Sequence, residues 1–175
     1  DAKKMEIEKK HSMKAKEIMG YHESCFLDLN DERLDLCIQD IVIPLEEYLM
    51  KIKPQIVYSP FCNDNNQDHQ AVAKAVQVVL RPSAVPFVER WMIFETPSST
   101  DQGPPVGTLG FQANVYYDIG NHIDKKLEAI ASYKTESRPY PNPRSPDGIK
   151  ALAMKRGMEC GLDYAESFML AREKV

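Results

Sequence analysis

The stretch QIVYSPFCNDNNQDHQAVAKAVQVVL, residues 55–80, decides the fold class of this chain. Its first five residues form a short apolar run typical of a buried strand, and residues 68–80 have the apolar spacing of a helix. The residues between them are polar, which is typical of a turn. The stretch therefore predicts a strand that leads through a polar loop into a helix, which is the repeating unit of α/β proteins.

The same alternation continues on both sides of this stretch. Helices are predicted at 3–19, 34–52, 121–137 and 146–160, strands at 25–29 (CFLDL), 90–95 (RWMIFE) and 113–119 (ANVYYDI), and loops at 97–110 and 138–148, before a final segment at 164–172. Pro44 interrupts the second helix, where we expect a kink or a helix start. Strands that alternate with helices favour parallel pairing with crossovers. The pattern therefore predicts one α/β domain over residues 1–175, with a mainly parallel sheet flanked by helices.

Composition and charge narrow the classes of function. The chain is 43% hydrophobic and 27% charged, and its net charge of −4 argues against binding to nucleic acid or to anionic lipid. No apolar run approaches the ~20 residues of a membrane-spanning helix. The four cysteines show no CxxC spacing, so we expect buried thiols in a reducing compartment, which favours the cytoplasm. The sequence does not specify an oligomeric state, and a homo-oligomer is one option.

The beginning of the chain, DAKKMEIEKKHSMKAKEIMG, has helical character and lacks both an initiator methionine and a signal peptide. Compact α/β domains usually begin with a strand. We therefore expect a preceding segment that contributes an N-terminal strand and is not included in this sequence. The absence of a targeting signal then carries no information.

His69 is the candidate functional residue of the polar loop. On a helix it shares one face with Val72, Ala73, Val76 and Leu80, and this face is expected to pack on the sheet. His69 also lies in the first helical turn, where the positive end of the helix dipole disfavours a protonated ring. Neutral imidazole is the form that binds a metal ion, so the position suits a metal ligand.

Two interpretations of this loop are open. Asp64 and Asp68 lie near His69 in the sequence and are acceptors that can orient a metal-ligating ring. Alternatively, the loop residues are ordinary helix-capping residues, and His69 is a core residue whose polar atoms are satisfied. A zinc site needs at least three protein ligands, and no second histidine occurs at ligand spacing from His69.

Several segments taken together resemble the PIG-L/LmbE family of zinc-dependent N-deacetylases. NDNNQDHQAV is similar to the second signature of that family, His-x-Asp-His at the start of a helix. Other segments of the chain resemble further elements of the family in the same order. These segments are EIEKKHSMKAKEIMG with FLDLND, KIKPQIVYSP, GFQANVYYDI and RGMECGLDYAESFMLAR. The resemblance implies a Rossmann-like fold, the LmbE-like three-layer sandwich. It also implies removal of the acetyl group from an N-acetylated amino sugar of the GlcNAc type or a similar amide.

The resemblance assigns roles to individual residues. His69 corresponds to the last histidine of the signature and is the expected Zn²⁺ ligand. Asn66 and Asn142, the latter in the loop PNPRS, stand where the family has catalytic histidines. An amide can donate a hydrogen bond to an oxyanion but cannot deliver a proton. The expected contacts with a small N-acetylated sugar are Asp68, Asn114 and Arg144.

The chain departs from the family pattern at its first signature, His-Pro-Asp-Asp, which is absent. That signature carries the other two metal ligands and the catalytic base, which we expect in the preceding segment. Two alternatives to an active deacetylase are open. One is a catalytically impaired sugar-binding relative, and the other is a structural or interaction module that keeps the fold. ETPSST (95–100) is rich in hydroxyl groups but lacks the glycine spacing of phosphate-binding loops.

Overall fold

The computed structural model describes residues 2–104 and 110–175, so residues 105–109 of the predicted loop 97–110 lie outside the described residues. The helices are α1 (Ala2–Met19), α2 (Ile38–Ile52), α3 (Gln67–Val79), α4 (Ile123–Ala131) and α5 (Pro146–Cys160), with a short 3₁₀ helix at Leu34–Leu36. The strands are β1 (Ile56–Pro60), β2 (Arg90–Phe94), β3 (Val115–Asp118) and β4 (Ala165–Glu173). Within the described residues, no helix is both long enough and apolar enough to cross a membrane.

The described strands form a sheet in the order β1–β2–β4–β3, flanked by helices, which confirms the α/β class. β1 and β2 are parallel, as the alternation of strands and helices predicts. β4 instead pairs with β2 in the antiparallel direction, with a bulge between Trp91 and Met92. The sheet is therefore mixed, because its last strand is inserted next to β2 rather than added by another crossover.

The contacts divide the chain into two compact units. The α3 unit comprises Leu29–Val115 and Ser167–Val175. Its core is formed by the apolar faces of α2 and α3 together with the segment that leads into β2, and includes Ala75, Val79, Leu80 and Val88. This packing follows from the stripe of apolar residues that the sequence places at helical spacing along α2 and α3.

The α1 unit comprises the residues up to Asp28 and Tyr116–Glu166. Ile119, Ile123 and Ala153 form its buried cluster, with Leu127 and Tyr164 packed against it. The expectation of a single domain over residues 1–175 stays a prediction.

CFLDL, residues 25–29, is not a strand, and this prediction is wrong. Asp28 adopts a left-handed backbone conformation with φ of 56°, which interrupts an extended chain. Phe26 and Leu27 are each 39% exposed, so this apolar run is not buried in the way that a strand inside a sheet would be.

Two helix boundaries in the structure differ from those predicted: one near Pro44, and the end of the helix predicted at 121–137. α2 begins at Ile38 and continues through Pro44 rather than starting near it. α4 ends at Ala131, because both the backbone amide and the hydroxyl of Ser132 donate to the carbonyl of Ala129 and close the helix.

The cysteines are free thiols, as expected, but the prediction that they are buried is wrong. Cys25, Cys62 and Cys160 are exposed, and Cys37 is half-buried. Cys25 and Cys62 lie in loops, and Cys160 lies in the last helical turn of α5, where the chain leaves the packed part of its unit.

Candidate functional site

The site begins with the cap of α3. Asn66 has an extended backbone, with φ of −96° and ψ of 122°, and its side-chain oxygen accepts hydrogen bonds from the amides of Asp68 at 2.8 Å and His69 at 3.3 Å. These amides belong to the first turn, whose donors have no partner inside the helix. Asn66 is therefore the N-cap of α3, and its Nδ2 is left to act as a donor.

His69 lies one turn into α3, beside a buried carboxylate. Its side chain is 31% exposed, and its Nδ1 is 3.0 Å from Oδ1 of Asp64, which is fully buried. Ala73 and Val76, on the same helical face, are buried. His69 is thus held at the border of the core by a polar partner and is not enclosed by hydrocarbon side chains.

Asp64 connects the loop after β1 with the loop after β2. Oδ1 accepts a hydrogen bond from the amide of Asn66 at 2.9 Å and another from the hydroxyl of Ser99, and Oδ2 accepts one from the hydroxyl of Thr100. β1 and β2 are parallel and adjacent, so their carboxyl ends lie at the same edge of the sheet. Polar groups from the two loops therefore meet above that edge.

Asp68 holds the segment before α2 in place through hydrogen bonds. This buried carboxylate accepts hydrogen bonds from the amide of Glu32 at 2.6 Å and from the amide of Leu34 at 3.1 Å. Its two oxygens are thus occupied by backbone groups, which is a structural role that sequence reasoning did not assign. Its predicted contact with substrate stays a prediction.

Asn114 lies at the start of β3, and its side-chain oxygen accepts from the amide of Leu170 in β4 at 2.8 Å. Its own amide donates to the carbonyl of Phe168 at 2.9 Å. These two bonds fix Asn114 against β4, and its role in the substrate pocket remains a prediction.

Asn142 and Arg144 lie together in the α1 unit, in the loop before α5. The side-chain oxygen of Asn142 accepts from the amide of Arg144 at 2.9 Å. The guanidinium group of Arg144 pairs with Glu136, while its buried Nε has no hydrogen-bond partner among the described residues. The structure thus groups Asp64, Asn66, Asp68 and His69 at one helix terminus, and groups Asn142 with Arg144 in the other unit.

Ser99 and Thr100 are the residues of this arrangement that sequence reasoning missed. The segment ETPSST lacks the glycine spacing of a phosphate-binding loop, and two of its hydroxyl groups, those of Ser99 and Thr100, bind a carboxylate of the protein itself. A dense run of hydroxyl residues at the carboxyl end of a strand was the available signal. In the same loop, partial burial, with the charge of Glu95 adding to it, raises the pKa of Asp101 above its usual range.

Comparison with known proteins identifies the segment that carries this site. Residues 2–80 match the family described as PIG-L, GlcNAc-PI de-N-acetylase. The matched segment runs from α1 to the end of α3, so it contains His69 and its partners Asp64 and Asn66.

Solved structures resemble this chain in fold over most of its length. A conserved protein from Thermus thermophilus has a TM-score of 0.76 and 23% identity, over 97% of this chain and 75% of its own. N,N'-diacetylchitobiose deacetylase from Pyrococcus horikoshii, solved with an inhibitor, has a TM-score of 0.70 and 17% identity, over 94% of this chain and 62% of its own. The zinc-inhibited form of teicoplanin deacetylase Orf2 has a TM-score of 0.59 and 13% identity, over 89% of this chain and 60% of its own.

The PIG-L family implies a zinc ion, and the described residues fit it only in part. His69 offers one imidazole with a carboxylate on its Nδ1, which is the usual arrangement behind a metal-bound histidine. Among the described residues, however, no group of three or more His, Cys, Asp or Glu side chains is arranged to hold a metal. These residues therefore supply one candidate ligand and do not form a complete zinc site.

A groove of about 440 Å³ borders the first turns of α3 in the same unit. Its lining residues are Asp35, Ile38, Cys62, Gln67, Gln70, Ala71, Lys74 and Gln77. Three of these side chains are primary amides, which can both donate to and accept from the hydroxyl groups of a ligand. His69 does not line this groove.

Proposed function

We propose that this chain is a PIG-L-type, zinc-dependent hydrolase that removes the acetyl group from an N-acetylated amino sugar of the GlcNAc type or a similar amide. The observation that carries this proposal is the His69 ring, whose Nδ1 lies against the buried Asp64 at the start of α3 inside the PIG-L segment. The names of two fold relatives, a diacetylchitobiose deacetylase and a teicoplanin deacetylase, support the same class of reaction.

We propose His69 as one zinc ligand, through Nε2, with the remaining ligands supplied by residues outside those described here. His69 would hold the ion together with these ligands, and the ion would supply water activation and a positive charge for the amide carbonyl. The chain's own contribution is to hold an imidazole in a fixed orientation, which His69 achieves through its contact with Asp64.

Asn66 is proposed to bind the oxyanion of the tetrahedral intermediate. Its side-chain oxygen is used by the two helix amides, so the Nδ2 group is the part left to donate to a developing negative charge. Asn142 and Arg144 are proposed as further substrate residues on the family resemblance alone. The substrate would be a small sugar, without nucleic acid or membrane partners. Free thiols support a cytoplasmic location, and a homo-oligomer is compatible with this proposal.

A second candidate is a sugar-binding relative without turnover. Asn66 and Asn142 are amides where the family has imidazoles, and an amide cannot protonate a leaving amine. This candidate predicts sugar binding and zinc binding without acetate release.

The deciding experiment measures acetate release from a panel of N-acetylated sugars by the protein with added Zn²⁺. The His69→Ala variant should lose the activity, because the proposed ligand is removed. The matched control is His122→Ala, since His122 is exposed and its side chain makes no cap hydrogen bond within the part of the chain that the structure describes. If the wild-type protein binds zinc but releases no acetate, the proposed enzymatic function is wrong and the sugar-binding relative is favoured.

A second experiment asks whether Asn66 takes part in the chemistry. Asn66→His restores an acid–base group, so it should raise the rate of acetate release in the pH range where imidazole is protonated. A rate unchanged across a pH series would remove Asn66 from the reaction.

A further inference from the structure

Asp64 is the most heavily used side chain at the start of α3. Four groups among the described residues contact its carboxylate: the Asn66 amide, Nδ1 of His69 and the hydroxyl groups of Ser99 and Thr100. The carboxylate is fully buried, so these groups replace the water that would otherwise solvate it.

Asp64 determines which ring nitrogen of His69 carries a hydrogen. Asp64 accepts from the Asn66 amide and from two hydroxyl groups, so the ring atom that faces it at 3.0 Å supplies a further N–H group. In the neutral ring the hydrogen is then on Nδ1, and Nε2 is the nitrogen with a free lone pair. Without a partner at Nδ1, either nitrogen can carry the hydrogen.

The hydroxyl groups of Ser99 and Thr100 are held in place by the loop that follows β2. The amides of Ser99 and Thr100 donate to the carbonyl of Thr96 at 3.1 and 2.8 Å, and the amide of Thr96 donates to the hydroxyl oxygen of Thr100 at 2.8 Å. That oxygen accepts from Thr96, so its own hydrogen is available for Asp64. The loop thus presents two hydroxyl donors to Asp64 from a position 35 and 36 residues further along the chain.

We propose that Ser99 and Thr100 are positioning residues that act through Asp64 to fix the His69 ring in the Nδ1–H tautomer, with Nε2 free to bind. They touch neither a metal nor a substrate in this scheme. The use of Nε2 as a zinc ligand rests on the proposed function, whereas the tautomer itself does not.

The test is nitrogen NMR of the His69 ring in the metal-free protein, at a pH where the ring is neutral. The ¹⁵N shifts and ring couplings distinguish Nδ1–H from Nε2–H directly. Wild type should show the Nδ1–H form. Ser99→Ala and Thr100→Val should move His69 towards a mixture of tautomers, and the double variant should show the largest change.

Two controls separate positioning from general damage. Ser167→Ala deletes a hydroxyl-to-carboxylate bond of the same kind, from buried Ser167 to Glu95 at 2.9 Å in the same unit, and should leave the His69 tautomer unchanged. Thr100→Ser keeps the hydroxyl and should restore the wild-type spectrum.

Wild-type protein with the hydrogen on Nε2 would overturn the inference without any variant, as would an equal change in Ser167→Ala. An unchanged tautomer in the double variant would show that Asp64 needs neither hydroxyl, and would also overturn it. Failure of the deacetylase assay leaves these spectra unaffected, so the two proposals fail separately.

Discussion

At the scale of single residues, Asn66 serves the fold and the proposed chemistry with different atoms. Its oxygen caps α3 by accepting from the amides of Asp68 and His69, and its NH₂ group remains for a ligand. One of the two capped amides is that of His69, the candidate ligand. The cap therefore also holds the backbone of His69 in place. Substitutions at Asn66 will therefore change stability as well as any activity.

We expect Asn66→Ala to lower the free energy of unfolding by about 1 kcal/mol, because two first-turn amides lose their acceptor. Asn66→Ser keeps a capping oxygen and should lie within a few tenths of a kcal/mol of wild type, as expected for another good N-cap residue. Urea unfolding followed by circular dichroism measures both. Equal stability of Asn66→Ala and wild type would contradict the capping role.

Glu159, in the last turn of α5, makes the stability of the fold depend on pH in a direction that can be worked out. Burial raises the pKa of Glu159, but hydrogen bonds from Lys155 and Arg156 outweigh it and lower the pKa from 4.5 to about 2. A folded-state pKa below the unfolded value means that the ionised carboxylate stabilises the fold above about pH 4.5. This stabilisation is lost as the pH falls towards about 2.

We therefore expect Glu159→Gln to be less stable than wild type by about 0.5 kcal/mol at neutral pH, a small value because the ion pairs are solvated. The difference should shrink as the pH falls from about 4.5, as measured by urea unfolding at several pH values. Glu128→Gln, at an exposed position of α4, is the control. A difference that grows in acid would show that the sign is wrong.

At the scale of elements, α5 shows how local sequence sets helix boundaries. The side chain of Ser145 caps the helix by accepting from the amide of Gly148, Pro146 occupies the first turn, and Gly161 ends the helix with φ of 78°. These are the residue types that favour a helix start and a helix end. Glycine is needed at position 157, inside the helix, for a different reason. A Cβ on Gly157 would lie 2.9 Å from the carbonyl carbon of Asp163 and closer still to the carbonyl oxygen of Leu162.

We expect Gly157→Ala to lower the free energy of unfolding by about 1–3 kcal/mol through overpacking, although alanine is the better helix former by about 1 kcal/mol. The control is Met158→Ala, since Met158 is 74% exposed on the same helix and should be nearly neutral. Thermal unfolding of both variants checks this. A stabilised Gly157→Ala variant would show that the chain after α5 can shift away.

At the scale of the whole molecule, the two compact units have separate buried clusters, and the α3 unit carries the candidate metal ligand. Met92 of β2 is fully buried in that unit, where β2 pairs on one side with β1 and on the other with β4. β2 therefore joins β1, in the stretch 55–80, to β4 near the end of the chain.

We expect Met92→Ala to cost about 2–5 kcal/mol of unfolding free energy, because a fully buried side chain leaves a cavity. Met50→Ala changes the same residue type at a site in α2 that is 49% exposed, and should cost much less. Calorimetry of the two variants measures the difference. Equal losses would mean that β2 is not central to the fold of the α3 unit.

Much of this architecture was predictable from the sequence. The helix predicted at 68–80 is α3, Gln67–Val79, and the strand predicted at 55–59 is β1, Ile56–Pro60. The capping interpretation of the polar loop is confirmed at Asn66. These features were accessible because periodicity, caps and turns depend on residues a few positions apart.

Tertiary structure alone decided the antiparallel insertion of β4, the loss of the strand expected at 25–29, and the partners of Asp64. Ser99 lies 35 positions after Asp64, and nothing in either segment indicates the other. They meet because parallel β1 and β2 bring their carboxyl ends to the same edge of the sheet. The sequence thus determined that His69 stands at the start of a helix beside Asp64, whereas the pairing of strands decided which hydroxyl groups hold Asp64 in place.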